Sequence, residues 1–329
     1  MGAAGKFLSR RGWLGVVGAA LLRGQAGSAG QRVFRGIFPI MSTPYTESYE
    51  IDWEALEKEV AFLERCGVHG MVWPQLASEY HKLSREERLR GMEIIARVAR
   101  NCRAALVLGV QDATVEGAVG YARHAEKLGP DAMIAIPPTV ARSTEDFERY
   151  YETLARVTER PIFIQTTGGA RGVEPTVELL VGLARKHPNL GYVKEEYGSV
   201  IERMKQLAQY RPWIRAIFSG RGGRALLYEL RLGMDGTMPG AAYADLYVRV
   251  WEAYQAGRHG EAREVFGKVL LMLNCEEQIP GAREYLLRKR GVTKAVASRL
   301  RSIHLDAAAI EEIESCWEIV RPYLRFERI

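Results

Sequence analysis

Four cysteines in 329 residues, at positions 66, 102, 275 and 316, are too few and too scattered to frame a disulfide scaffold. No CxxC pair and no histidine–cysteine cluster of metal-ligand spacing occurs, so neither a zinc site nor any other metal site is expected. The body of the chain also lacks an excess charge of either sign. Four of the 46 basic residues and none of the 40 acidic ones fall within residues 1–30, which leaves 42 basic against 40 acidic residues beyond them. The formal charge of +6 is therefore largely a property of the N-terminus, and nothing here has the electrostatic footprint of nucleic-acid binding. Long apolar runs are missing too: the stretch 15–22 is too short to span a bilayer. There is no low-complexity linker and no short solenoid repeat.

What is present begins with the N-terminus. Arg10-Arg11 is followed by the apolar stretch 15–22 and then by small residues over 26–29, an order that resembles a twin-arginine export signal. Residues 1–30 are expected to form this segment. The mature protein would then lie in a periplasm, and in the cytoplasm if the segment does not act as a signal. Isolated cysteines are compatible with export, because such systems carry folded proteins.

From residue 34 apolar strands and amphipathic helices alternate. Strands are expected over 38–41, 70–73, 105–109, 132–136, 161–164, 189–196, 215–218 and 236–238, each followed by a helix. Eight such units in about 220 residues predict an α/β fold, a closed (β/α)8 TIM barrel spanning 31–257. A doubly wound sheet would want a glycine-rich turn after its first strand, and Met41-Ser42-Thr43-Pro44 supplies none. Residues 258–329 contain no strand pattern and read as a C-terminal helical extension, with Ile310, Ile313, Cys316, Trp317 and Val320 on one apolar face.

The chemistry of such a barrel gathers at the C-terminal ends of its strands. Lys194 ends the sixth, Asn189-Leu190-Gly191-Tyr192-Val193-Lys194-Glu195-Glu196. Parallel strands are buried on both faces and rarely carry an ammonium group without a use for it. Burial favours the neutral amine, the form that attacks a carbonyl to make a Schiff base. The plainer alternative is a lysine that reaches solvent or pairs with Glu195 or Glu196. Other polar residues at strand ends are Gln75, Ser78, Glu79, Thr139, Gln165, Thr166, Thr167, Ser219 and Thr237.

Several segments resemble the dihydrodipicolinate synthase and N-acetylneuraminate lyase family. They are Ser78-Glu79-Tyr80-His81-Lys82-Leu83-Ser84-Arg85-Glu86-Glu87-Arg88 after strand two, 189–195 at strand six, Ser219-Gly220 at strand seven and 233–240 at strand eight. The likeness covers roughly residues 34 to 325. It implies a class I, lysine-dependent lyase of the aldolase or dehydratase type acting on a small-molecule 2-oxo acid, with Lys194 as the imine-forming residue. It implies no cofactor, and a homo-oligomer, tetramer or dimer. Counting back from Lys194, Arg171 meets the family's arginine and Thr166 stands where the family has its acid/base tyrosine. Thr139 stands at the place of a second tyrosine. The Gly-Thr-Thr-Gly-Glu loop that holds the substrate carboxylate is replaced by Gln75-Leu76-Ala77-Ser78-Glu79. The resemblance thus makes Lys194, Thr166 and Thr139 the catalytic candidates, with Gln75, Ala77, Ser78, Glu79, Gln165, Thr167, Arg171, Ser219 and Thr237 around the substrate. A proton relay through Thr166, Thr139, Tyr80 or water is the expected adaptation. The rival expectation is a non-catalytic sugar-acid binding or scaffold protein on the same barrel.

Overall fold

Strands whose residues are apolar on both faces must be covered on both sides, and the chain meets this by closing its sheet on itself inside a ring of helices. The computed structural model describes residues 32–329; the expected export segment, residues 1–30, lies outside them. Eight parallel strands, β1 (Gly36–Ile37), β2 (Gly70–Trp73), β3 (Ala105–Gly109), β4 (Ala132–Ala135), β5 (Ile162–Gln165), β6 (Tyr192–Glu195), β7 (Ala216–Ser219) and β8 (Gly236–Thr237), pair in the order β1-β8-β7-β6-β5-β4-β3-β2. Single bridges from Ile40 to Val72 and to Gly240 complete the ring. The first strand was expected over 38–41, but its regular ladder covers only 36–37. Pro39 has no N–H to donate, so pairing beyond it is reduced to these bridges.

Two cores result. Inside the barrel, Phe34, Phe38, Phe163, Tyr192 and Phe218 are buried and meet edge to face or tilted, with ring centroids 5.0–6.1 Å apart. Rings at these separations fill the barrel with apolar matter below its catalytic end. The outer core lies between the barrel wall and the helices, where Leu56, Val60, Met92 and Ile95 are fully buried.

Local chemistry fixes the helix starts. Asp52, Ser84, Thr114, Ser143 and Thr176 accept backbone N–H bonds that open α1 (Trp53–Cys66), α2 (Arg85–Ala99), α3 (Val115–Leu128), α4 (Thr144–Ala155) and α5 (Val177–Lys186). At α2 the cap is reciprocal, since Glu87 in turn accepts from the Ser84 N–H. Helices α6 (Val200–Ala208), α7 (Leu226–Arg231) and α8 (Ala244–Gln255) complete the ring.

Past the barrel come α9 (His259–Gln278), α10 (Ala282–Lys289) and α11 (Ala307–Val320), with α9 packed along α8 and α11 on α9. On α11, Ile313, Cys316, Trp317 and Val320 are buried as the apolar face predicts, while Ile310 remains exposed at the edge of that face. All four cysteines are free. Among the described residues no helix is long and apolar enough to cross a membrane, and no group of His, Cys, Asp or Glu is placed to hold a metal ion.

Candidate active site

Alternation along a strand sends every second side chain into the barrel. On β6 that places Tyr192 and then Lys194 inward, the amine standing above the aromatic filling with 5 % of its residue surface exposed. Lys194 pairs in register with Gln165 of β5 and Phe218 of β7. Its Nζ donates to Gln165 Oε1 at 3.0 Å and lies 3.6 Å from Glu196 Oε1. Glu196 is itself held from two sides. Thr167 Oγ1 donates to its Oε2 at 3.0 Å, and the Arg221 backbone N–H donates to its Oε1 at 3.0 Å.

The neighbouring residues face the other way. Thr166 Oγ1 donates to Glu195 Oε1 at 2.7 Å and accepts from the N–H groups of Glu196 and Tyr197. Glu195 is fully buried, with Arg203 Nε 3.1 Å from its Oε2 but out of line for a hydrogen bond. Burial raises the Glu195 carboxyl, against the opposing pull of Arg203. Counting from the lysine places Thr166 at the family tyrosine, but the strand pleat places Gln165 beside the amine and turns Thr166 toward the helix layer. The hydroxyl relay expected of Thr166 is therefore not built at Lys194.

The other expected residues form separate groups. After β2, a 3₁₀ turn (Leu76–Ser78) carries Ala77 against the inner core. Gln75 Nε2 donates to Gln111 Oε1 at 2.8 Å, and Ser78 Oγ donates to the Met41 carbonyl at 2.5 Å while accepting from the Gln75 N–H. Buried Oε1 of Gln75 has no partner, leaving one acceptor at the barrel mouth unsatisfied. Glu79, expected at the substrate, instead accepts from Ser298 Oγ and from the N–H groups of Arg299 and Leu300. Its carboxylate is thereby committed to the C-terminal region.

Ser219 and Thr237 lie side by side on β7 and β8, with Ser219 Oγ donating to Glu229 Oε2 at 2.6 Å. Burial pushes the Glu229 carboxyl up to about 7, the Ser219 hydrogen bond opposing it. Ser219 and Glu229 line a cavity of about 230 Å³ together with Glu195, Val200 and Ala225. Thr139 and Arg171 are exposed in the loops after β4 and β5, and the Tyr80 ring lies by the Arg88 guanidinium, 5.6 Å from its centroid.

Glu196 was legible only as a countercharge. The signal for more was its position two residues beyond Lys194, which on a strand means the same face.

The model of the dihydrodipicolinate synthetase family matches residues 33–309, most of the chain. The chain belongs to the dihydrodipicolinate synthetase family. It is 26 % identical over 290 residues to a 4-hydroxy-tetrahydrodipicolinate synthase of Rhizobium meliloti (strain 1021), covering 86 % of this chain and 97 % of that one. Against an L-2-keto-3-deoxyarabonate dehydratase of Azospirillum brasilense it is 25 % identical over 285 residues, 84 % of this chain and 91 % of that one. The fold matches that of YagE, a protein of the family from E. coli K12 solved in complex with pyruvate, with TM-score 0.80 and 19 % identity over 88 % of this chain and 99 % of that one. As a member of this family of synthases, lyases and dehydratases, the chain is an enzyme of the lyase type.

Proposed function

We propose that this lyase works through a Schiff base at Lys194 and breaks or forms a carbon–carbon or carbon–oxygen bond in a 2-oxo acid or a related sugar acid. The observation that carries the reading is the inward lysine: a nearly buried amine at the C-terminal end of β6, above an apolar floor, donating a hydrogen bond to Gln165 Oε1. Attack of the neutral amine on C2 of the acid, followed by uptake of one proton and loss of water, gives an iminium cation. That cation draws electrons from a bond one carbon away, so the bond can break or a hydroxyl can leave. Gln165 fixes the direction of the amine and, being an amide, transfers no proton. The dehydratase of A. brasilense and the pyruvate complex of YagE support this substrate class.

Borohydride trapping tests the reading. Incubation with pyruvate and with longer 2-oxo acids is expected to leave a reduced adduct on the wild-type protein and none on Lys194→Ala. Binding without turnover is the competing reading, favoured by Thr166 standing at the place the resemblance gives to the family's tyrosine and by an amide, Gln165, as the hydrogen-bond partner of the amine. Under it the ligand would raise the melting temperature of wild type and Lys194→Ala alike, with no adduct on either.

A further inference from the structure

We propose that Glu196 is the acid/base residue of this site, the carboxyl that moves protons at the Lys194 nitrogen and the bound oxygen. This role rests on the imine chemistry above and adds the proton carrier which that chemistry lacks. Neither threonine can fill it, and nor can Gln165. Thr166 is turned to the helix layer, Thr139 is exposed on a loop, and an amide has no proton to give.

Three features show a carboxylate built into position. Its oxygen is 3.6 Å from the reacting nitrogen, and its side chain is 13 % exposed. Thr167 Oγ1 and the Arg221 N–H hold one oxygen each, so the group cannot swing away from the amine. The backbone after β7 is shaped around it. Arg221 takes a left-handed φ of 48°, uncommon for a residue with a side chain, and in that conformation its N–H reaches Glu196. Gly220 just before it leaves the space: a Cβ there would lie 1.7 Å from Glu196 Oε1. A simple surface ion pair needs neither device.

Glu196 takes a proton from the Lys194 ammonium, and the neutral nitrogen adds its electron pair to C2 while the carbonyl pair shifts to oxygen. One proton then passes from nitrogen to that oxygen to give the carbinolamine. Protonated Glu196 gives its proton to the new hydroxyl, which leaves as water as the nitrogen pair closes the C=N bond. An iminium and a carboxylate replace the original ammonium and carboxylate.

The test is the rate of adduct formation with pyruvate, followed by borohydride quenching and protein mass measurement from about pH 5 to about pH 9, in wild type, Glu196→Gln and Gly220→Ala. The direction of the effect separates two roles. As proton carrier, Glu196 lost to Gln slows trapping by roughly 10²-fold or more and removes one limb of the pH profile. As a mere counter-ion, its loss favours the neutral amine, and trapping at neutral pH stays the same or speeds up. Gly220→Ala keeps the carboxyl but drives it out of place and is expected to slow trapping as well, which carries the test if Glu196→Gln does not fold. An adduct on wild type with unslowed variants overturns the role of Glu196 and leaves the imine standing. No adduct on wild type overturns both.

Discussion

A carboxyl sealed into an apolar helix layer shows how one residue can set a pH dependence for the whole protein. Glu59 of α1 is completely buried, accepts one hydrogen bond from the Ser42 N–H at 2.9 Å, and leaves its other oxygen without a partner. Burial pushes its carboxyl up to about 8, while the Ser42 N–H and the Arg283 charge oppose the rise. A carboxyl raised in the folded state binds its proton more tightly there than in the unfolded chain. Its contribution is fully present below the ordinary glutamate range and is lost as pH rises through about 8. Glu59→Gln keeps the acceptor without the charge. It is expected to match wild type near about pH 5 and to be more stable by about 1 kcal/mol or more near about pH 9, read as urea midpoints at the two pH values. Residue identity was legible where chemistry is scarce, as with a lysine ending a buried strand. The face each residue takes was less so: counting from Lys194 selected Thr166, and only the pairing of Gln165 with Lys194 shows which of the two meets the amine.

At the scale of elements, the sequence legibly carried the strands and helices, because period-2 and period-3.6 patterns alternate along it. The short turns were not legible. Tyr80–Lys82 forms a 3₁₀ turn entered through Glu79, whose left-handed φ is 57°, and no periodicity announces such a feature. That conformation carries Glu79 to the segment before α11. There one carboxylate accepts from Ser298 Oγ at 2.6 Å and from the N–H groups of Arg299 and Leu300 at 2.9 and 3.0 Å. Arg299 in turn forms a two-pronged pair with Glu87 at 2.8 Å. These bonds join residues more than 200 positions apart, so no local pattern could have revealed them. Glu79→Ala takes the acceptor from Ser298 Oγ and the Arg299 N–H, leaves the Leu300 N–H with Ser298 Oγ alone, and is expected to cost about 2 kcal/mol. Hydrogen exchange should show the Arg299 and Leu300 amides losing protection; unchanged protection would refute the tether.

A buried pair helps fasten the C-terminal helices to the barrel. Arg290 meets Asp245 of α8 through two bonds of 2.8 Å, both side chains fully buried, and its guanidinium also donates to the Ala242 and Phe326 carbonyls. The same group lies over the rings of Phe62 and Phe326, 4.6 and 4.8 Å from their centroids. Removing one partner strands a charge in the core, so Asp245→Asn is expected to lose about 3–5 kcal/mol. Replacing both as Arg290→Met with Asp245→Leu should cost less than either single change, as denaturant unfolding will show. The barrel's interior is filled by aromatic rings, and its mouth presents the inward amine of Lys194. Imine formation at this amine is read out by borohydride reduction in the presence of isotopically labelled pyruvate, followed by peptide mass mapping. The label is expected on the peptide containing Lys194; label on another lysine alone, or none with any 2-oxo acid of a broad panel, would contradict it.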